Sequence, residues 1–331
     1  MNLQHRIELM YKLGNYLQTN DPEWLEVKLQ AQQKNPWFTP EFIDIAVKNI
    51  VEKFLQKDLL EQWVKHYHLD DNIIQKNIGI VMAGNIPLVG FHDFLCAFIS
   101  GHRQTIKLSS KDDVLLKFLV KKLYSIDIEI QNLVSFAELL KGCDAYIATG
   151  SNNTARYFDQ YFSKYPNIIR RNKTSVAVLY GNESTGELKD LSDDIHLYFG
   201  LGCRNVTKLF VPKDYDFIPL LESFDLYKYF RDQHKYANNY DYQLSIMLLN
   251  NVYYMTNGST LLVENNSAFS AISTVNYEYY EDEKMLDELI KNQGDIQCVI
   301  GKKSVDFGKA QCPDIFSYAD GLDTMQFLLS L

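Results

Sequence analysis

The five cysteines (Cys96, Cys143, Cys203, Cys298 and Cys312) are odd in number, and no two of them form a Cys-x-x-Cys pair. That spacing argues against a zinc site and against a disulfide framework, and it fits a reducing, cytoplasmic setting. No metal ligand set emerges. No apolar run approaches the ~18 residues that a membrane-spanning helix needs. His5, Arg6, Glu8 and Lys12 interrupt the apolar residues of 1–17, so no signal peptide is expected there. Basic charge is also in deficit. Thirty-three Lys and Arg against 42 Asp and Glu leave a formal charge of −9, which excludes a broad nucleic-acid-binding face. A Gly-x-Gly-x-x-Gly dinucleotide fingerprint is absent. What remains is a chain of 331 residues, 46% hydrophobic and 23% charged, the composition of a globular protein long enough for two domains. Its 22 Tyr and 19 Phe read as core and surface aromatics before they read as an apolar pocket.

Residues 1–65 read as helices. Asp21-Pro22-Glu23 and Thr39-Pro40-Glu41 each offer an N-cap, a proline at the first helical position and an early acid. From Ile78 the pattern changes to strand, polar turn, helix, three times over. A strand at 78–83 ends in Gly84-Asn85-Ile86-Pro87 and opens a helix through Phe94 and Phe98. A strand at 104–108 is followed by Ser109-Ser110-Lys111-Asp112 and a helix through Leu115 and Leu119. A strand at 144–148 runs into Thr149-Gly150-Ser151 and a helix over Ala155 and Phe162. Such repetition predicts a parallel sheet wrapped by helices, with ligands at the carboxyl ends of its strands. A strand at 174–180 closes this part, and a domain boundary is expected at 183. The expected organisation is therefore a first domain over 1–183, with its core at about 77–183, and a second over 184–331. In the second domain helices are expected at 216–231, 236–249 and 282–291, and strands at 259–263, 271–277 and 295–300.

The second domain opens on a helical pattern (Leu188, Leu191, Ile195) that runs into Phe199-Gly200-Leu201-Gly202-Cys203-Arg204-Asn205-Val206-Thr207-Lys208-Leu209-Phe210-Val211-Pro212. A thiol at a glycine-relieved turn between helix and strand can be presented to a cleft. Arg204 or Lys208 could lower its pKa. A buried cysteine acting as a small apolar residue is the plainer alternative.

This segment resembles the cysteine-centred segment of the aldehyde dehydrogenase superfamily, and in detail the long-chain acyl-CoA reductase branch, the LuxC type. The order of the earlier turns agrees. Gly84-Asn85-Ile86-Pro87-Leu88 is similar to a turn whose asparagine helps form an oxyanion hole. Ile106-Lys107-Leu108-Ser109 is similar to a stretch that reaches the cofactor ribose, with leucine in place of proline. Thr149-Gly150-Ser151 is similar to a turn beside the cofactor phosphates. The resemblance implies an α/β fold of the aldehyde dehydrogenase type, two open α/β domains behind an N-terminal helical layer. It implies Cys203 as nucleophile, Asn85 as oxyanion donor, and cofactor contacts from Lys107, Ser109, Ser110, Gly150 and Ser151. Aldehyde-oxidising relatives carry a water-activating glutamate about thirty residues before the cysteine. Here the matching stretch, 169–175, holds no acid, which suits a reductase. They also often carry a glutamate that binds the adenosine ribose. Ser110 followed by Lys111 in its place favours NADPH over NADH. The implied reaction is reduction of an acyl-CoA or acyl-carrier thioester to the aldehyde, by a chain that could form a homo-oligomer. Reduction of an acyl phosphate in the manner of γ-glutamyl phosphate reductase, and a cysteine acyltransferase or thioesterase without redox, stand as alternatives. His196, seven residues before Cys203, reads first as a satisfied helix histidine.

Overall fold

The computed structural model describes residues 1–301 and 304–331, and the chain divides into two compact units. The first begins with four helices, α1 (Leu3–Leu17), α2 (Pro22–Lys34), α3 (Pro40–Phe54) and α4 (Lys57–His66). The expected caps start two of them. The Asp21 carboxylate accepts from the Glu23 and Trp24 amides, and the Thr39 hydroxyl accepts from the Phe42 amide. There follow β1 (Asn77–Val81), α5 (Phe91–Ser100), β2 (Arg103–Lys107), α6 (Leu115–Ile126), β3 (Val134–Phe136), β4 (Ala145–Thr149), α7 (Asn152–Phe162) and β5 (Asn167–Arg170). The strands form one parallel sheet in the order β3-β2-β1-β4-β5. The helical layer is not an appendage. Leu9, Leu13, Trp24, Phe38 and Trp63 share one buried core with Ile78 and Ile80 of β1, Ile106 of β2 and Ile147 of β4. Truncating such a fully buried aromatic as Trp63 to alanine costs roughly 3–5 kcal/mol.

The second unit holds β6 (Thr174–Val178), α8 (Thr185–His196), β7 (Val206–Pro212), α9 (Ile218–Ser223), α10 (His234–Leu249), β8 (Tyr254–Thr256), β9 (Leu261–Glu264), β10 (Thr274–Tyr280), α11 (Glu283–Asn292) and β11 (Ile296–Ile300). Its sheet runs β11-β6-β7-β10-β9-β8, parallel except for the β8–β9 pair. The helix expected across 216–231 is α9 followed by a 3-10 segment, Phe224–Asp232.

The division between the units differs from the expected boundary at 183. It falls between Asn172 and Lys173, because β6 pairs with β7 and β11 rather than with the first sheet. The tail also departs from the expectation, since residues 313–331 belong to the first unit. There α12 (Thr324–Leu329) packs on α5, burying Met325 and Leu328. Polar contacts fix it. The Trp63 indole donates to the Tyr318 hydroxyl at 2.9 Å, and the Tyr67 hydroxyl donates to Asp323 at 2.6 Å. The buried Arg170 guanidinium bridges Asp93 (2.5 Å) and the Thr324 hydroxyl (2.7 Å).

Candidate active site

In the second unit the cysteine loop begins where α8 stops. Tyr198, Phe199 and Gly200 all take left-handed backbone conformations, with φ of 58°, 57° and 72°. Glycine adopts this freely. For each of the other two the cost is roughly 1–2 kcal/mol, so the surroundings must over-determine it. Both rings are buried, and Phe199 packs on Phe230 and Tyr236 with ring centroids 4.5 and 5.7 Å away.

Asn205 then closes the loop. Its side-chain oxygen accepts from the Gly202 amide at 2.8 Å, and its backbone amide donates to the Gly202 carbonyl at 3.1 Å. Its side-chain NH₂ reaches the carbonyls of Asp194, Ile195 and Leu197, at 3.0, 3.2 and 2.9 Å. Helix ends leave such carbonyls without intrahelical partners, and here the two N–H groups of one buried amide are shared among three carbonyls. Cys203, half-buried, lies inside the 202–205 turn that Asn205 ties. The Ser175 hydroxyl donates to the Cys203 carbonyl at 3.1 Å and lies 2.9 Å from the Cys298 sulfur on β11.

The two cations beside Cys203 have separate fates. Lys208 is fully buried and ion-paired with Glu278, and it donates to the Asn266 carbonyl at 2.6 Å. Its charge is therefore spent anchoring the loop before β10, and the expectation that it activates the thiol is withdrawn. Arg204 acts on Cys298. Burial pushes that thiol up, while Ser175 and Arg204 pull it back.

His196 is a structural histidine. Burial holds its pKa down at about 4, so the ring is neutral near pH 7. Nδ1–H donates to the Ser192 carbonyl at 2.8 Å, which leaves Nε2 to accept from the Thr260 hydroxyl at 2.9 Å. The ring stacks on Tyr227. A cavity of about 30 Å³ touches His196, Phe199, Tyr236 and Thr260. It has room for a water molecule or two and none for an acyl chain.

Asp194, on the same helix, is buried and receives the Gly308 and Ala310 amides at 2.7 and 3.0 Å. Desolvation outweighs these bonds and pushes its pKa up to about 7. A raised acid binds more protons folded than unfolded between about pH 4 and 7, so its contribution to stability falls as pH rises through that window. His196 runs the other way, but equally in wild type and mutant. Asp194→Asn should therefore gain on the wild type by about 2–4 kcal/mol between pH 5 and pH 8. Urea denaturation at the two pH values measures this. A difference that does not change with pH contradicts it.

In the first unit the expected cofactor residues gather at one sheet edge. The strands are parallel, with Val81 in register with Lys107 and with Ala148. The segments after β1, β2 and β4 therefore leave the sheet on the same side. Asn85, half-buried, lies in the first of them. Lys107 ends β2, and Ser109 and the exposed Ser110 follow it. A Cβ on Gly84 would come within 2.8 Å of the Ser109 side chain, so glycine permits the first two turns to touch. Gly150 continues the ladder by donating to the Arg170 carbonyl at 3.2 Å, and Ser151 caps α7 through the Thr154 amide. The 169–175 stretch begins at Ile169, inside β5. It offers no carboxylate, and the Arg171 side chain pairs with Asp159.

Sequence reasoning placed Asn205, Ser175 and Asp112 in these segments but gave none of them a role. Asn205 could have been found: an asparagine two residues after the cysteine sits where a turn must close before a strand.

No protein-family model and no curated protein matches the chain. Solved structures do. Aldehyde dehydrogenase 21 of Physcomitrella patens, determined with the reaction product succinate, superposes with a TM-score of 0.69 at 14% identity, over 92% of this chain and 74% of that one. An NAD-dependent aldehyde dehydrogenase of Sinorhizobium meliloti gives 0.70 at 10%, over 94% and 72%. The Mycobacterium tuberculosis aldehyde dehydrogenase complexed with NAD⁺ gives 0.64 at 10%, over 91% and 73%. With its two α/β units, parallel sheets and helical N-terminal layer, the chain has the aldehyde dehydrogenase fold.

Proposed function

We propose that this protein reduces an acyl thioester, foremost a long-chain acyl-CoA, to the aldehyde with NADPH, through an acyl group carried on Cys203. The observation that carries the reading is the cysteine turn, built by Asn205 and entered through three left-handed residues. Its strain and its satisfied helix end give Cys203 a fixed backbone, as a nucleophile needs. The cofactor residues suit a nicotinamide dinucleotide. Hydroxyls of Ser109 and Ser110, the Lys107 side chain and the start of α7 share one sheet edge, where phosphate and ribose groups find donors.

In this reading the Cys203 thiolate attacks the thioester carbonyl, and the oxyanion is held by the Asn85 amide and the Cys203 backbone N–H. Collapse expels the CoA thiolate, which takes up a proton, and leaves the acyl group on sulfur. A nicotinamide dinucleotide held by Lys107, Ser109, Ser110, Gly150 and Ser151 would supply the hydride that reduces this acyl group. The resulting thiohemiacetal on Cys203 expels the aldehyde and restores the thiolate. The balance is acyl-CoA plus NADPH plus a proton, giving aldehyde, CoA and NADP⁺. Water stays out of the sequence because the 169–175 stretch has no carboxylate to activate it and His196 is neutral and bonded at both nitrogens.

NADPH oxidation followed over acyl-CoA thioesters of increasing length tests the reading. Activity rising with chain length supports it, and absence of NADPH binding would point to a transferase instead. Ser110→Glu is expected to weaken NADPH binding about tenfold while changing NADH binding about twofold or less, because the new carboxylate repels a 2′-phosphate. Equal effects on the two cofactors would move the ribose elsewhere.

A further inference from the structure

We propose that Asp112 is a positioning residue: from the loop that carries Ser109 and Ser110 it holds the Asn85 turn in place. The inference rests on the reading of Asn85 as an oxyanion donor. The Leu88 backbone, three residues after Asn85, is left-handed with φ of 56°, an uncommon state for a leucine. Its amide donates to Asp112 Oδ2 at 2.7 Å, across 24 residues of sequence. The Asp112 side chain is buried, and its Oδ1 has no hydrogen-bond partner among the described residues. A carboxylate placed this way is costly, so its one bond to the strained amide has a purpose beyond solvation.

The loop that presents Asp112 is itself gripped. Its amide donates to the Ser109 carbonyl at 3.0 Å, and the Lys111 amide donates to the Ser109 hydroxyl at 3.2 Å. The Asn35 side chain, at the end of α2, donates to the Lys111 carbonyl at 3.2 Å. The charged groups around it are accounted for. Lys34 of α2 and Lys117 of α6 bind Asp113, at 2.5 and 3.5 Å, and not Asp112. Desolvation raises the Asp112 pKa to about 7, the Leu88 amide opposes this, and the Asp113 charge adds to it. Only the ionised carboxylate makes a charge-assisted bond to Leu88, and such bonds are roughly twice as strong as neutral ones. The latch therefore weakens as pH falls through that value. The same loop thus carries the proposed ribose contacts and steadies the proposed oxyanion donor, which gives the helical layer a part in the chemistry.

Asp112→Asn in the full-length protein is the test, because it keeps shape and an accepting oxygen but cannot ionise. Turnover of acyl-CoA at pH 8 should fall at least tenfold, with thioester KM and NADPH affinity within about threefold of wild type. Wild-type kcat should decline below about pH 7, and the variant should lack that limb. An unchanged turnover, or the same acidic limb in the variant, overturns the proposal. If wild type reduces no thioester, the thioester reading falls separately, and amide exchange decides the latch. Leu88 should then exchange several-fold faster in Asp112→Asn, with Ile80 of β1 unchanged. Equal exchange at Leu88 overturns the latch.

Discussion

Cys203→Ala should lower thioester reduction by about 10⁴-fold or more, the scale on which removing a covalent nucleophile acts. The size follows from what is lost. Without the sulfur no acyl group is carried, and hydride would have to reduce a thioester bound only by contacts. Incubation of wild type with radiolabelled acyl-CoA should leave about one hydroxylamine-labile label per chain, and the variant should carry none. The other cysteines serve as controls. Cys96 and Cys143 are buried, and burial raises both thiols. Cys298 is raised as well, and its sulfur sits against the Ser175 hydroxyl. Labelling lost in Cys298→Ala but kept in Cys203→Ala would transfer the role to β11.

Asn85→Ala should cost about 10²–10³ in kcat, the usual effect of deleting one oxyanion donor. In the proposed role the amide binds the transition state more strongly than the ground state, so KM should stay nearly constant. The fold should survive. Asn85 is only half-buried, whereas the turn around it is fixed by the Leu88–Asp112 bond and by the Met82 amide on the Lys107 carbonyl. A loss of only about a few-fold would leave Asn85 as a turn former and nothing more.

Much of the fold was legible because strand runs such as Ile78-Gly79-Ile80-Val81 are buried on both faces and bounded by polar turns. Partners were not legible. The strand expected at 174–180 was read into the first domain because sequence shows that a segment is a strand and not which strand it pairs with. The short strands β3, β5 and β8 were passed over, being three or four residues long and half polar. The tail carries no local signal of where it docks, since Tyr67–Asp323 and Arg170–Thr324 join residues far apart in sequence.

At the cysteine turn the glycines announced a turn, and Gly200 is left-handed, yet Tyr198 and Phe199 gave no sign that they are too. Both rings are buried, and Phe199 packs on Phe230 and Tyr236, which is a tertiary effect. Lys208 misled for a related reason. A lysine five residues from a cysteine looks like an activating charge until its partner, Glu278, arrives from β10. Asp112 was read only as the end of a polar turn, whereas it is buried before a helix, α6, that has no side-chain cap.

The claim that matters most is that water has no route to the acyl group on Cys203. It is tested by running the reaction backwards with a long-chain aldehyde and NADP⁺, with and without CoA, and identifying the product. The expected product with CoA is the acyl-CoA, formed continuously and with little free acid. Without CoA, NADPH should appear in a burst no larger than the enzyme concentration and then stop. Sustained formation of free carboxylic acid in the absence of CoA would contradict the account and make the protein an oxidising aldehyde dehydrogenase.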